Sequence, residues 1–152
     1  MGIRVYPDTP RIYFDMDGVL ADFEKKKNEL DITFDELKAM KGAYRSLDVM
    51  EGAKEAVREI MTLGHQTFIL TKIPRNNPYS ATEKILWQQE HFPEFDENII
   101  LSPDKGAVGR EIDFLIDDYP EWANANNFRG TVLHFKRNWK EIIKQLRDNP
   151  SI

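Results

Sequence analysis

The chain alternates short apolar runs with longer segments of helical period, and this alternation restricts it to a parallel β–α–β architecture. RIYFD (11–15), QTFILT (66–71), NIIL (98–101), DFLID (113–117) and TVLHF (131–135) have the length and composition of strands. Between them, GAKEAVREIMTLG (52–64) puts Ala53, Ala56, Val57, Ile60 and Leu63 on one face and stops at Gly64. SATEKILWQQEHF (80–92) reads as a helix opened by a Ser80/Glu83 capping box. NWKEIIKQL (138–146) reads as a terminal amphipathic helix, and PEWANANNF (120–128) as a shorter one with Pro120 in its first turn. Right-handed crossovers then leave an α/β fold: a Rossmann-like, open, parallel five-stranded sheet flanked by helices. A chain of 152 residues allows a single domain, 1–152. Residues 23–48 break the alternation and predict a small helical cap inserted after the first strand, while KIPRNNPY (72–79) predicts a mobile connection.

Ligands of such sheets bind at the carboxyl ends of the strands, so what each strand delivers there decides the chemistry. The first delivers Asp15 and Asp17, the second Thr71 followed by Lys72, the third Ser102 and Lys105, and the fourth Asp117 and Asp118. Four carboxylates gathered on one rim repel each other unless a cation stands among them. The sequence has no cysteine, and its histidines (His65, His91, His134) lack metal-ligand spacing, so they are assigned no chemistry and any metal must be held by oxygen. Mg²⁺ fits, because it accepts few carboxylates and keeps sites for water and phosphate. A calcium loop fits less well: Val19 stands where a further oxygen ligand would be needed, and a strand precedes the acids rather than a helix. The excess of 26 Asp and Glu over 21 Lys and Arg, a formal charge of -5, argues against stable binding to nucleic acid or anionic membrane. MGIRVYPDTP carries no leader pattern and no apolar run reaches membrane-spanning length, so a cytoplasmic protein is expected.

Asp-x-Asp-Gly-Val after a strand, Thr at the second strand's end, a downstream Lys and Asp-Asp after an apolar run together resemble the motifs of the haloacid dehalogenase-like phosphatases. Within that superfamily, DMDGVLADF, PYSATEKILWQQEHF, SPDK and LIDD are most similar to the 5'(3')-deoxyribonucleotidases. The resemblance implies a Mg²⁺-dependent phosphoric monoester hydrolase working through an aspartyl phosphate, with Asp15 as nucleophile and Asp17 as general acid and base. It implies metal ligation by Asp15, Asp117, Asp118 and, through its backbone carbonyl, Asp17. Thr71, Lys72, Lys84 and Lys105 would hold phosphate, Gly18 would let the chain turn beneath it, and Phe23 would meet a nucleobase. The implied substrate is a nucleoside monophosphate. The alternatives are another small phosphorylated metabolite, a polynucleotide 3' phosphate, or a non-enzymatic nucleotide- or metal-binding role, the last opposed by the intact Asp15 and Asp17.

The cap is shorter than in that family, which implies a more open site that a second copy of the chain could cover. Lys72, Ile73 and Pro74 after Thr71, and Pro103 before Lys105, also depart from the family's pattern. Lys84 reads equally as an exposed helical lysine. The basic run Lys25 to Lys27 is either a solvated face or a means of steering an anionic substrate. Trp87, Trp122 and Trp139 are all expected to pack in the core.

Overall fold

A computed structural model of the chain describes residues 8–152; residues 1–7, over which the absence of a leader pattern was partly read, lie outside them. The strands β1 (Arg11–Phe14), β2 (Gln66–Thr71), β3 (Ile99–Leu101), β4 (Phe114–Asp117) and β5 (Thr131–His134) form one sheet of order β3-β2-β1-β4-β5. All neighbours are parallel, with Ile12 opposite Thr67 on one side and Phe114 on the other. Central strands of such a sheet are buried on both faces, which is why β1 and β4 read as continuous apolar runs.

Side chains alternate between the two faces. Ile12, Phe14, Ile69 and Ile116 enter the larger core with Val57 and Ile60 of α3 (Ala53–Met61), Trp87 of α4 (Ser80–His91) and Ile142 and Leu146 of α5 (Trp139–Asp148). Each such side chain contributes about 1.5–3 kcal/mol by leaving water. Tyr13, Leu70 and Leu115 face the other way, against Ala125 and Phe128. That second face is covered by irregular chain. The predicted helix at 120–128 is a 3-10 segment, Trp122–Asn127, in which Ala123 and Asn124 take left-handed φ values of 53° and 58°. The chain that follows it packs closely on the turn after β3: a Cβ at Gly109 would lie 2.4 Å from Phe128 Cε2.

The segment after β1 holds two short helices, α1 (Phe23–Leu30) and α2 (Phe34–Ala39), followed by a 3-10 turn at Tyr44–Ser46. Asp22 caps α1 by accepting from the Lys25 amide, and Thr33 and Glu36 form a reciprocal capping box on α2. The capping box expected at Ser80 and Glu83 does not form. Ser80 Oγ donates to Asn77 O, while Glu83 accepts from the amides of Gly42 (2.9 Å) and Arg45 (3.3 Å) and so ties the insertion to α4. The predicted mobile loop 72–79 is likewise anchored: Asn77 is buried and its side-chain amide donates to the carbonyls of Lys38 and Met40. Among the described residues no helix is long and apolar enough to cross a membrane.

Candidate active site

Strand order reverses between β1 and β4, and the carboxyl ends of these two neighbours bring Asp15, Asp117 and Asp118 together. One oxygen from each of the three lies within 4.8 Å of the others. Lys105, from the turn after β3, reaches between two of them, donating to Asp15 Oδ1 and Asp117 Oδ2 at 2.8 Å each. Asp15 Oδ1 also accepts the Met16 amide, and Asp117 Oδ1 accepts the Tyr119 amide at 2.8 Å. These bonds fix both carboxylates, and Asp118 meets Asp15 through a further side-chain hydrogen bond.

Charge at the cluster is unbalanced. Burial pushes the Asp15 carboxyl well above the usual range; the Lys105 ammonium opposes this, while Asp117 and Asp118 add to it. Asp118 is raised mainly by burial; a hydrogen bond with Asp15 opposes this, and the charge of Asp117 adds to it. Burial alone would lower the Lys105 pKa, but Asp15 and Asp117 outweigh it and push it up, so the ammonium keeps its proton. An all-oxygen donor set that holds excess negative charge fits a hard divalent cation.

Asp17 stands apart from this cluster. Its Oδ2 accepts from Lys84 Nζ at 3.0 Å, and its Oδ1 is buried with no hydrogen-bond partner. Lys84 is only 1% exposed and also donates to Thr71 Oγ1 (2.8 Å) and the Lys72 carbonyl (2.6 Å), so the reading of an exposed helical lysine fails. A long α4 side chain thus joins the β1 and β2 tips. Gly18, at φ +90°, sits so close to Asp118 that a Cβ would lie 2.0 Å from Asp118 Oδ2. Its lack of a side chain therefore makes room for that carboxylate.

The acids open into a cleft of about 1060 Å³, with Phe23, Phe34 and Tyr44 on the insertion side and Tyr119 and Trp122 on the other. Phe23 stacks on Phe34 and Tyr44, at 5.9 and 5.7 Å between ring centres. The Tyr44 phenol is kept neutral, pushed up by burial and by the nearby Asp17 and Glu83. The side chain of Lys72 is exposed at the cleft wall. Trp87 and Trp139 are buried as expected, whereas Trp122 is 47% exposed and lines the cleft. Sequence reasoning missed it because an indole on a presumed helix is ordinarily a core residue; the adjoining Tyr-Pro after the Asp-Asp pair was the available signal that the chain stays at the rim.

Residues 31–148 match the protein family described as 5' nucleotidase, deoxy (pyrimidine), cytosolic type C. The mitochondrial 5'(3')-deoxyribonucleotidase of Mus musculus is 31% identical over 149 residues, covering 76% of this chain and 67% of that protein. A putative 5'(3')-deoxyribonucleotidase of Vibrio phage KVP40 is 31% identical over 137 residues, covering 84% of this chain and 76% of its own. Among solved structures, a dehalogenase superposes with a TM-score of 0.62 at 11% identity, covering 95% of this chain and all (100%) of its own, which supports the fold alone.

Proposed function

Because the chain belongs to the 5' nucleotidase, deoxy (pyrimidine), cytosolic type C family, we propose that it is a phosphoric monoester hydrolase that removes phosphate from nucleoside monophosphates. The observation that carries this reading is the Asp15–Lys105–Asp117 bridge beside Asp118, at the base of a cleft that also holds Asp17.

Asp15 is the nucleophile. Lys105 and the Met16 amide hold its Oδ1, which leaves Oδ2 to attack phosphorus. As the P–O bond to the nucleoside breaks, Asp17 gives its proton to the leaving oxygen. Lys84 holds that carboxyl group in place through Oδ2. In the second half, the Asp17 carboxylate takes a proton from water, the water oxygen attacks the aspartyl phosphate, and inorganic phosphate leaves as Asp15 is restored. Lys105, Lys84 and the Thr71 hydroxyl supply positive charge and hydrogen bonds for the phosphoryl oxygens, with Lys72 further out. Gly18 keeps the turn under that group open.

Asp15, Asp118 and the Asp17 backbone carbonyl would hold Mg²⁺ in this reading, with Asp117 engaged by Lys105. When bound, the cation supplies the charge that keeps Asp15 ionised beside a phosphate dianion.

A panel of phosphomonoesters assayed with Mg²⁺, against Asp15→Asn as the control, tests the proposal. Phosphate release from nucleoside monophosphates is expected to fall by about 10⁴-fold or more in the variant. If release from every ester equals that of the control, the enzyme reading fails; preference for sugar phosphates over every nucleotide removes the nucleotidase reading alone.

A further inference from the structure

Trp122 and Tyr119 are large aromatic side chains left 47% and 46% exposed, and both project into the cleft rather than into the adjacent core. Their rings lie 4.1 Å apart, tilted by 37° to one another. Phe34 of α2 meets the indole edge-on at 6.3 Å, and the Lys38 ammonium, one helical turn further along, lies 4.4 Å from the indole centre. The same indole therefore faces the insertion across the mouth of the cleft.

The backbone supports this presentation at some strain. Ala123 and Asn124, directly after Trp122, are consecutive non-glycine residues in the left-handed region. The segment is nonetheless fixed: Asn124 donates to Asp104 Oδ1 at 2.8 Å, and the same oxygen accepts the Gly106 amide at 2.8 Å. A Cβ at Gly106 would come within 2.6 Å of the Asn124 side chain, so Gly106 allows the close docking. The turn that delivers Lys105 to the acids thus also anchors the loop that presents Trp122.

We propose that Trp122, backed by Tyr119, is a specificity residue that receives the nucleobase from the sheet side of the cleft, opposite Phe34 of the insertion. This rests on the nucleoside monophosphate reading above. A planar base competes with the Lys38 ammonium for the indole face, and that ammonium can swing aside on its flexible stem. Stacking on an indole is tolerant of base identity, so the contact selects for a base over no base rather than for one base over another.

The test compares deoxyuridine monophosphate with deoxyribose 5-phosphate, which has the same phosphate and sugar and no base. Trp122→Ala is expected to lower kcat/KM for the nucleotide by roughly 10–100-fold through KM and to leave the sugar phosphate within about threefold, with Trp122→Phe restoring most of the loss. Equal losses on both substrates, or none on either, would overturn the assignment. A binding arm separates this from the broader reading. In the Asp15→Asn protein with Mg²⁺, deoxyuridine monophosphate should quench tryptophan fluorescence, and Trp122→Phe in that background should abolish the quench, because Trp87 and Trp139 are buried. If the wild-type protein hydrolyses no nucleotide, the nucleotidase reading fails and the base contact stands or falls on that quench.

Discussion

At position 18 a single methyl group tests how tightly the site is built. Alanine there would bring its Cβ to 2.0 Å from Asp118 Oδ2, a separation that only displacement of the carboxylate can relieve. It would also hold an L side chain at φ +90°, at a cost of about 1–2 kcal/mol. Gly18→Ala is therefore expected to weaken Mg²⁺ binding by roughly 10–100-fold, by analogy with disturbed ligand orientation at other metal sites, and to lower the melting temperature. Calorimetric titration with Mg²⁺ checks this, and unchanged affinity in the variant would show that Asp118 need not stay where it is. Position 18 was legible in the sequence as a turn glycine, but the reason for it was not, because Asp118 is distant in the chain and close only in the fold. Lys84 shows the same gap. Its helical position alone suggests exposure, and only partners from β1 and β2 explain why a lysine is buried there.

Elements carry a second kind of information, the contacts that hold the insertion in place. The Arg137 guanidinium, from the turn before α5, donates to Asp22 Oδ1 (2.8 Å) and Oδ2 (3.2 Å) and to Glu24 Oε2 (3.4 Å), reaching the first turn of α1. Burial alone would raise the Asp22 pKa, but the bonds from Arg137 and the Lys25 amide outweigh it and hold the carboxyl below its usual value. A carboxylate depressed in the folded state stabilises above its unfolded pKa, about 3.9, and that contribution is lost as the pH falls through the folded value. Arg137→Met should thus lower the melting temperature at pH 7 by about 2–4 °C, the equivalent of ~1 kcal/mol for a half-exposed pair. The gap to the parent protein should narrow as the pH falls below about 3.9, as thermal melts across the acid range would show; a gap that stays constant would mean that Arg137 acts by packing. Helix caps illustrate why such ties escape a sequence reading. Ser80-x-x-Glu83 and Thr33-x-x-Glu36 carry the same local pattern, yet only the second closes on itself, because backbone amides at Gly42 and Arg45 take the Glu83 carboxylate.

For the molecule as a whole, strand order converts a legible pattern into a stability problem. The five apolar runs emerge as strands nearly where the sequence puts them, since parallel strands buried on both faces need continuous apolar stretches. The irregular cover over Tyr13, Leu70 and Leu115 was less legible, because helical periodicity does not register the close glycine contacts that shape it. Placing β1 beside β4 puts Asp15 against Asp117 and Asp118, so the folded chain confines like charges that the unfolded chain disperses. Asp118→Asn removes one of these charges while keeping the shape of the side chain. In the metal-free protein the substitution should raise the melting temperature by relieving repulsion around Asp15. With Mg²⁺ the sign should reverse: the parent protein gains about 2.7 kcal/mol at a hundredfold excess over Kd, or roughly 5–10 °C, and the variant gains little. Melts of both proteins in chelator and in a Mg²⁺ series measure the two effects separately. A variant less stable than the parent in chelator would mean that Lys105 already neutralises the cluster, and an unchanged Mg²⁺ increment would move the cation's ligands away from Asp118.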